Sequence, residues 1–389
     1  MDRSDLQKAL LILGAFLLFY FIPEDLGRVS LGLQESVLMM RDYAQAHVLL
    51  CLIPAFFIAG AISVFVKSDA VIMYLGASAA VITAYTMGAV SGFILAVCSC
   101  TVLPLFAGIY LRGAGLGPAT AFLYSGPAIN ILAITMTARV LGFELGVART
   151  VVAILLSIVI ALCMAFIFRN EEKARMDSFQ TFTSEEEAIS LWRIIVFIGS
   201  MIGFLIFANF GNPGVTFGIY YQIYSIKWYL AAFFGITVIL CALFFFNKNL
   251  IREWLLSTVD YTLRVTPLLF IGVLAAGFFL GRPGHEALIP SEWIAGLLGG
   301  NSVSAVLFAS VIGAPMYFAT LTEVPIVQGL MGAGMGNGPA LTLLLAGPAI
   351  SLPAILVLST ILGWTKTLTY VALVIFFSAI AGLLFGMMY

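Results

Sequence analysis

Apolar runs of about 20 residues, each long enough to cross a bilayer as a helix, alternate with short polar or Gly/Pro-rich breaks along nearly the whole chain. The pattern predicts segments at roughly 8–22, 47–66, 71–89, 91–111, 117–140, 146–168, 192–209, 228–246, 263–281, 293–310, 313–331, 338–361 and 367–388. Between 71 and 111 the only turn signal is Gly88 to Gly92. Segments 91–111 and 313–331 also read as re-entrant hairpins. The expected fold is an all-α polytopic membrane protein of about thirteen membrane segments.

The two halves of the pattern repeat. Adding 221 to a residue number takes Pro104 to Pro325, Gly113 to Gly334, Gly117 to Gly338, Pro118 to Pro339, Gly126 to Gly347 and Pro127 to Pro348, without a gap. Glycines and prolines stand where a backbone needs a special shape, so matching them in register means a shared backbone. The chain divides into a first span and external loop over 1–46, repeat 1 over 47–168, and repeat 2 over 263–389. Between the repeats, 169–262 reads as a charged cytoplasmic linker plus two connecting spans. Within it, Ser184 to Glu187 fits a capping box, and 169–190 reads as a solvated linker. Each repeat holds five segments. Basic residues gather at Arg3 and Lys8, at Arg169, Lys173, Arg175 and Arg193, and at Lys248, Arg252 and Arg264. All three groups lie on the cytoplasmic side only if 91–111 is a full crossing. The repeats are then inverted, and the N-terminus is cytoplasmic.

Composition sharpens this reading. The chain has 389 residues, 62% hydrophobic and 10% charged, against about 25% charged in a soluble domain. No room is left for a sizeable soluble domain. A formal net charge of -1 gives no reason to expect a nucleic-acid partner. Cys51, Cys98, Cys100, Cys163 and Cys241 all lie in apolar stretches, unlike a secreted disulfide framework. Arg3 and Lys8 precede an apolar run as in a signal peptide, but Pro23-Glu24-Asp25 follows in place of a cleavage site, so a retained first span is expected. The glycine runs 113–117 and 332–338 lack a Gly-Lys-Ser/Thr end, so no ATPase is expected in this chain, and no cofactor or metal.

The chemistry-bearing residues lie inside the spans. Pro127 and Pro348 break their helices in mid-span and free the carbonyls of Leu123 and Leu344. Freed carbonyls in a membrane must face protein, water or solute. With Gly126, Gly347, Ser125, Asn130 and Ser351 beside them, the two breaks outline a midplane solute site; the plainer reading is a pair of packing kinks. Cys98, Ser99 and Cys100 precede Pro104, which cannot bond the Cys100 carbonyl. An unwound turn there would present both sulfurs to one soft centre, whereas cysteine otherwise packs as a small apolar residue. The second repeat has Ala319-Thr320-Leu321 in that place. Glu323, opposite Val102, is the carboxylate deep in an apolar span. Such a group marks a proton or substrate path by default; alternatively it pairs with Arg112, Arg139 or Arg149. His47 and His285 lie at span ends and read as interfacial.

The stretch Cys98-Ser99-Cys100-Thr101-Val102-Leu103-Pro104, with Tyr124 to Asn130, Glu323-Val324-Pro325 and Ala346 to Ala349, resembles the predicted permease family that includes the ArsP-like organoarsenical efflux permeases. The resemblance covers most of the chain and is weakest over 1–45 and 169–260. It implies a multi-pass permease of the plasma membrane, not an enzyme. Some members export trivalent organoarsenicals through motif cysteines, which would carry onto Cys98 and Cys100. The expected function is a secondary transporter exporting a soft, thiol-reactive small solute, with Glu323 in proton coupling. The expected partners are that solute and the bilayer. A passive channel and an intramembrane thiol-disulfide enzyme on Cys98 and Cys100 are the alternatives.

Overall fold

A computed structural model describes residues 26–65, 83–89, 99–129, 131–180, 190–210, 219–282, 285–313, 323–332 and 334–389. Sixteen α-helices and one π-helical stretch make up nearly all of it, with no strand among the described residues. Helix α1 (Leu26–Tyr43) continues through the π-helical Ala44–Leu52 into α2 (Ile53–Phe65). Then come α3 (Ser99–Leu111), α4 (Leu116–Ala128), α5 (Ile131–Val140), α6 (Phe143–Ile167) and α7 (Arg169–Gln180). Helices α8 (Leu191–Ala208) and α9 (Ile219–Phe245) form a packed pair. After them run α10 (Lys248–Leu280), α11 (Ser291–Leu297), α12 (Val303–Ile312), α13 (Glu323–Gly332), α14 (Asn337–Ala346), α15 (Leu352–Leu362) and α16 (Trp364–Met388).

Helix ends recur at the offset of 221. Helices α6 and α16 are both 25 residues long and match at both ends. Helices α4 and α14, and α5 and α15, start in register, and α3 and α13 end in register. The turns after α3 and α13 show why. Gly113 has φ +98° and Gly334 φ +104°, a region closed to most L-residues. Each glycine N–H returns to a carbonyl three residues back, Tyr110 at 3.1 Å and Met331 at 3.0 Å. The next N–H reaches Ile109 in one turn and Leu330 in the other. These are the same helix-ending turn, built twice.

Packing across the halves is reciprocal. Helix α3 packs on α15 and α13 packs on α5, while α6 packs on α16. Helix α6 also touches α4, α5 and α14, so it lies at the centre. Helices α4 and α5, 13 and 10 residues long, rise only about 20 and 15 Å each. Together they make one crossing with a gap in the middle. Helices α14 and α15 do the same, and their gap spans Gly347 to Ser351, where the Ser351 side chain caps α15 at Ala354 N.

Five stretches are long and apolar enough to cross a membrane by themselves: Val48–Phe65, Phe143–Ile167, Tyr221–Phe245, Lys248–Leu280 and Trp364–Met388. On α9, Phe233, Ile236, Ile239, Leu243 and Phe244 all face outward. A soluble protein would not leave such a band bare. The chain is a multi-pass membrane protein. At one end of α10, Arg282 grips Glu35 of α1 through Nε at 2.8 Å and Nη2 at 3.1 Å. The Arg282 hydrogen bond outweighs burial and holds the Glu35 carboxyl below its ordinary range.

Three boundary expectations need correction. Lys248 and Arg252, in the stretch expected to be linker and connecting spans, stand with Arg264 of repeat 2 on one continuous helix, α10, which crosses the expected boundary at 262/263. Its 33 residues rise about 50 Å, so the charged N-terminal turns extend past the apolar window. The segment at 293–310 is split into α11 and α12, because Gly299 and Gly300 turn aside to bridge Met335. The start of the linker is ordered as α7, with Glu171 and Glu172 favourably placed in its first turn. The first span at 8–22, the capping box at Ser184 to Glu187 and the turn at 90–92 lie outside the described residues.

Candidate functional site: a buried polar cluster between the repeats

Helix α6 carries only two charged residues, Glu144 near its start and Arg149. Arg149 is fully buried. A lone guanidinium there would be intolerable, so its partners decide where α6 sits. Its Nη1 donates to Thr137 Oγ1 on α5 at 2.9 Å, and Thr137 donates onward to the Ala133 carbonyl at 2.7 Å. Its Nη2 donates to Glu323 Oε1 in an ion pair that joins the repeats, with side-chain exposures of 0% and 1%. Glu323 lies on α13 and is buried. Of the three arginines weighed as its partner, Arg139 is exposed and Arg149 makes the bond.

The pair is not saturated. Arg149 Nε, a donor, and Glu323 Oε2, an acceptor, have no hydrogen-bond partner among the described residues. Both atoms belong to residues of the same bridge, so the bridge leaves one donor and one acceptor unused. Buried polar groups are ordinarily satisfied, and orphans on two charged residues at one point mark a place where a hydroxyl-bearing guest or a water would be held.

The second repeat supplies the other wall. Tyr370 of α16 holds the position equivalent to Arg149, and both are fully buried. The Tyr370 hydroxyl donates to the Ala349 carbonyl, within the second gap, at 3.3 Å. The Tyr124 hydroxyl donates to the Leu345 carbonyl at 3.3 Å. Tyr124 is within electrostatic reach of both Arg149 and Tyr370. Ser378 is buried beside Tyr124, and its carbonyl accepts from Thr342 at 3.3 Å. The cluster therefore draws on α4, α5, α6, α13, α14 and α16.

The residues expected at the site fall as follows. Ser125, Gly126 and Pro127 are buried in α4, and Ser125 Oγ donates to the Phe122 carbonyl at 3.3 Å. Gly347, Pro348 and Ser351 are buried at the second gap. Pro104 is buried inside α3, whose backbone is helical from Ser99 and Cys100 onward. Cys98 and Asn130 lie outside the described residues. Cys51 and Cys241 are buried. In the sequence Arg149 is one of three possible partners, and Thr137, Tyr124, Tyr370 and Ser378 carry no polar signal of their own. The offset of 221 held the signal, since it sets Arg149 opposite Tyr370 and buried Ser157 opposite Ser378.

A family model described as a predicted permease matches residues 34–387, which takes in every helix of both repeats. The chain belongs to this permease family. UPF0718 protein MJ0584 of Methanocaldococcus jannaschii is 43% identical over 346 residues, covering 89% of this chain and 93% of that protein. UPF0718 protein YraQ of Escherichia coli is 47% identical over 58 residues, 15% of this chain and 17% of that protein. No solved structure matches.

Proposed function

We propose that this family member is a secondary transporter of the plasma membrane whose two repeats are inverted and alternate about the Arg149–Glu323 cluster. The observation that carries the reading is this buried pair, contributed by one residue from each repeat and left with a free donor and a free acceptor. A purely structural bridge has no need of spare hydrogen-bonding capacity. Its place between the two gapped helices is where transporters built from repeats hold solute and coupling ion. The reciprocal packing of α3 on α15 and α13 on α5 favours repeats that rock as equivalent bodies.

Glu323 takes up the coupling proton. A proton on Glu323 weakens its hold on Arg149, so protonation and separation of the repeats are linked. Cys98 and Cys100 suit a soft, thiol-reactive solute such as a trivalent organoarsenical, exported from the cell. The N-terminus is cytoplasmic by the distribution of basic residues. The partners are the small solute and the bilayer.

The test is uptake of trivalent methylarsenite into everted membrane vesicles, with and without a proton gradient, for wild type and the Cys98→Ser/Cys100→Ser variant. Gradient-driven uptake that the variant loses is the expected result. Uptake by wild type without dependence on the gradient would make the chain a passive channel. Uptake retained in full by the variant would remove the thiols from the site.

A further inference from the structure

The Gly113 and Gly334 turns are gripped from outside, and the two grips differ in chemistry. At the Gly334 turn the grip is backbone and amide. Gly300 N donates to the Gly334 carbonyl at 2.9 Å, and Gly336 N donates back to the Gly300 carbonyl at 3.0 Å. Asn301 Oδ1 accepts from Gly338 N at 2.9 Å, and its Nδ2 donates to the Gly386 carbonyl at 3.3 Å. All of these residues belong to repeat 2, and none is charged.

At the Gly113 turn the grip is ionic and comes from the linker helix α7. Arg175 donates to the Tyr110 carbonyl at 2.9 Å and to the Ala114 carbonyl at 2.5 Å, and its guanidinium lies 3.9 Å over the Tyr110 ring. Glu172 accepts from the Tyr110 hydroxyl at 2.9 Å, from Arg175 Nη2 at 2.9 Å and from Lys366 Nζ at 2.8 Å. Lys366 is in the first turn of α16. One carboxylate thus ties the linker, the end of α3 in repeat 1 and the start of α16 in repeat 2.

We propose that the Glu172–Arg175–Lys366 network is a latch, and that its release lets α16 swing away from α3 and opens the polar cluster to water at that end. The inference rests on the transporter reading above. Three features support it. Lys366 stands one helical turn before Tyr370 of the cluster, so the latch is the next layer outward. Gly363, directly before α16, has φ +81° and open space around its α-carbon, which makes it a hinge point. Lys366 also lies 3.5 Å from Glu171, so it has a second carboxylate to move to. Side-chain ion pairs at 11–20% exposure can part without unwinding a helix. The Gly334 grip cannot part without distorting the turn itself, so this end stays shut.

The test uses the full chain in lipid nanodiscs, with its five native cysteines changed to alanine and Ser378→Cys as a buried reporter. The readout is the labelling rate by a small, charged, water-soluble methanethiosulfonate. Labelling is expected to be slow in this background. Glu172→Gln and Lys366→Met are each expected to speed it about tenfold, the scale of one lost charge-assisted hydrogen bond. The double variant gains nothing more, because both changes break one network. Lys366→Arg keeps the bond and labels slowly, and Asn301→Ala also labels slowly. Fast labelling in the starting background, no change in the single variants, a multiplied rate in the double variant, or fast labelling in Lys366→Arg or Asn301→Ala would each overturn the latch. The readout needs no transported solute, so a failed methylarsenite assay counts against the transporter reading and not against this one.

Discussion

The Tyr124 hydroxyl donates to the carbonyl of Leu345, the residue that holds Tyr124's own place in the second repeat, exactly one repeat length of 221 residues away. Equivalent positions of two copies can touch only where the relation between the copies has its axis. Helices α4 and α14 therefore approach each other near their C-terminal ends, where the two halves of the protein come together. This is why Arg149 and Glu323, remote in sequence, come within one bond of each other.

Removing this contact is expected to cost little. Tyr124→Phe keeps the ring and loses one neutral hydrogen bond, worth about 0.6 kcal/mol on average inside membranes. Thermal unfolding in a fixed detergent is expected to shift by only a few degrees. A collapse of the fold would mean that the two α4-type helices depend on this one bond.

The ion pair behaves differently. Arg149→Met or Glu323→Leu alone leaves a buried charge without its partner, at about 3–5 kcal/mol. The double variant removes both charges and is expected to regain most of that stability while transport stays lost. The measurement is a double-mutant cycle read by thermal unfolding. Additive losses would mean that the residues are not coupled.

Much of this architecture is legible in the sequence because glycine and proline report backbone shape directly. Gly113 and Gly334, Gly126-Pro127 and Gly347-Pro348 place the repeat and its gaps without any knowledge of packing. Glu323 stands out because a carboxylate is costly to bury in an apolar run and so is rare there. Its partner was harder to see. Arg149 lies 174 positions away, in a helix where the arginine could equally have faced an interface. Thr137, Tyr124 and Ser378 are ordinary residues for a membrane helix, and only three-dimensional packing turns them into a polar wall. The ordering of α7 was missed for a related reason. A charged stretch reads as solvated until Tyr110 and Lys366 are seen to receive its charges.

Glycine substitutions separate backbone strain from crowding. A methyl group at Gly334 meets nothing within 4 Å, so Gly334→Ala carries only the strain of φ +104°, about 1–2 kcal/mol. At Gly382 the added carbon would run into the Thr342 side chain and come within 2.6 Å of the Gly338 carbonyl. Gly382→Ala is therefore expected to lower the melting temperature more than Gly334→Ala, because α14 and α16 must separate. Equal effects would place the α14–α16 contact wrongly.

The latch has a defined pH response. Burial raises the Glu172 carboxyl, but the Lys366 hydrogen bond and the Arg175 charge outweigh it, and the group sits below its ordinary value. A lowered carboxyl contributes its stabilisation above the unfolded value and loses it only as pH falls through the folded one. Labelling of the Ser378→Cys reporter, divided at each pH by the thiolate fraction that the reagent attacks, is accordingly expected to stay slow and flat from pH 8 to about pH 5. A rise in rate between pH 7 and pH 6 would point to a different group.

In the proposed mechanism Glu323 carries the coupling proton at a site shared by the repeats. Gradient-driven uptake of methylarsenite into everted vesicles tests it most directly, comparing wild type with Glu323→Gln, which keeps the shape and a hydrogen-bond acceptor for Arg149. The expected result is uptake that rises with the proton gradient in wild type and ignores it in the variant. Full gradient-driven uptake by Glu323→Gln would contradict the account.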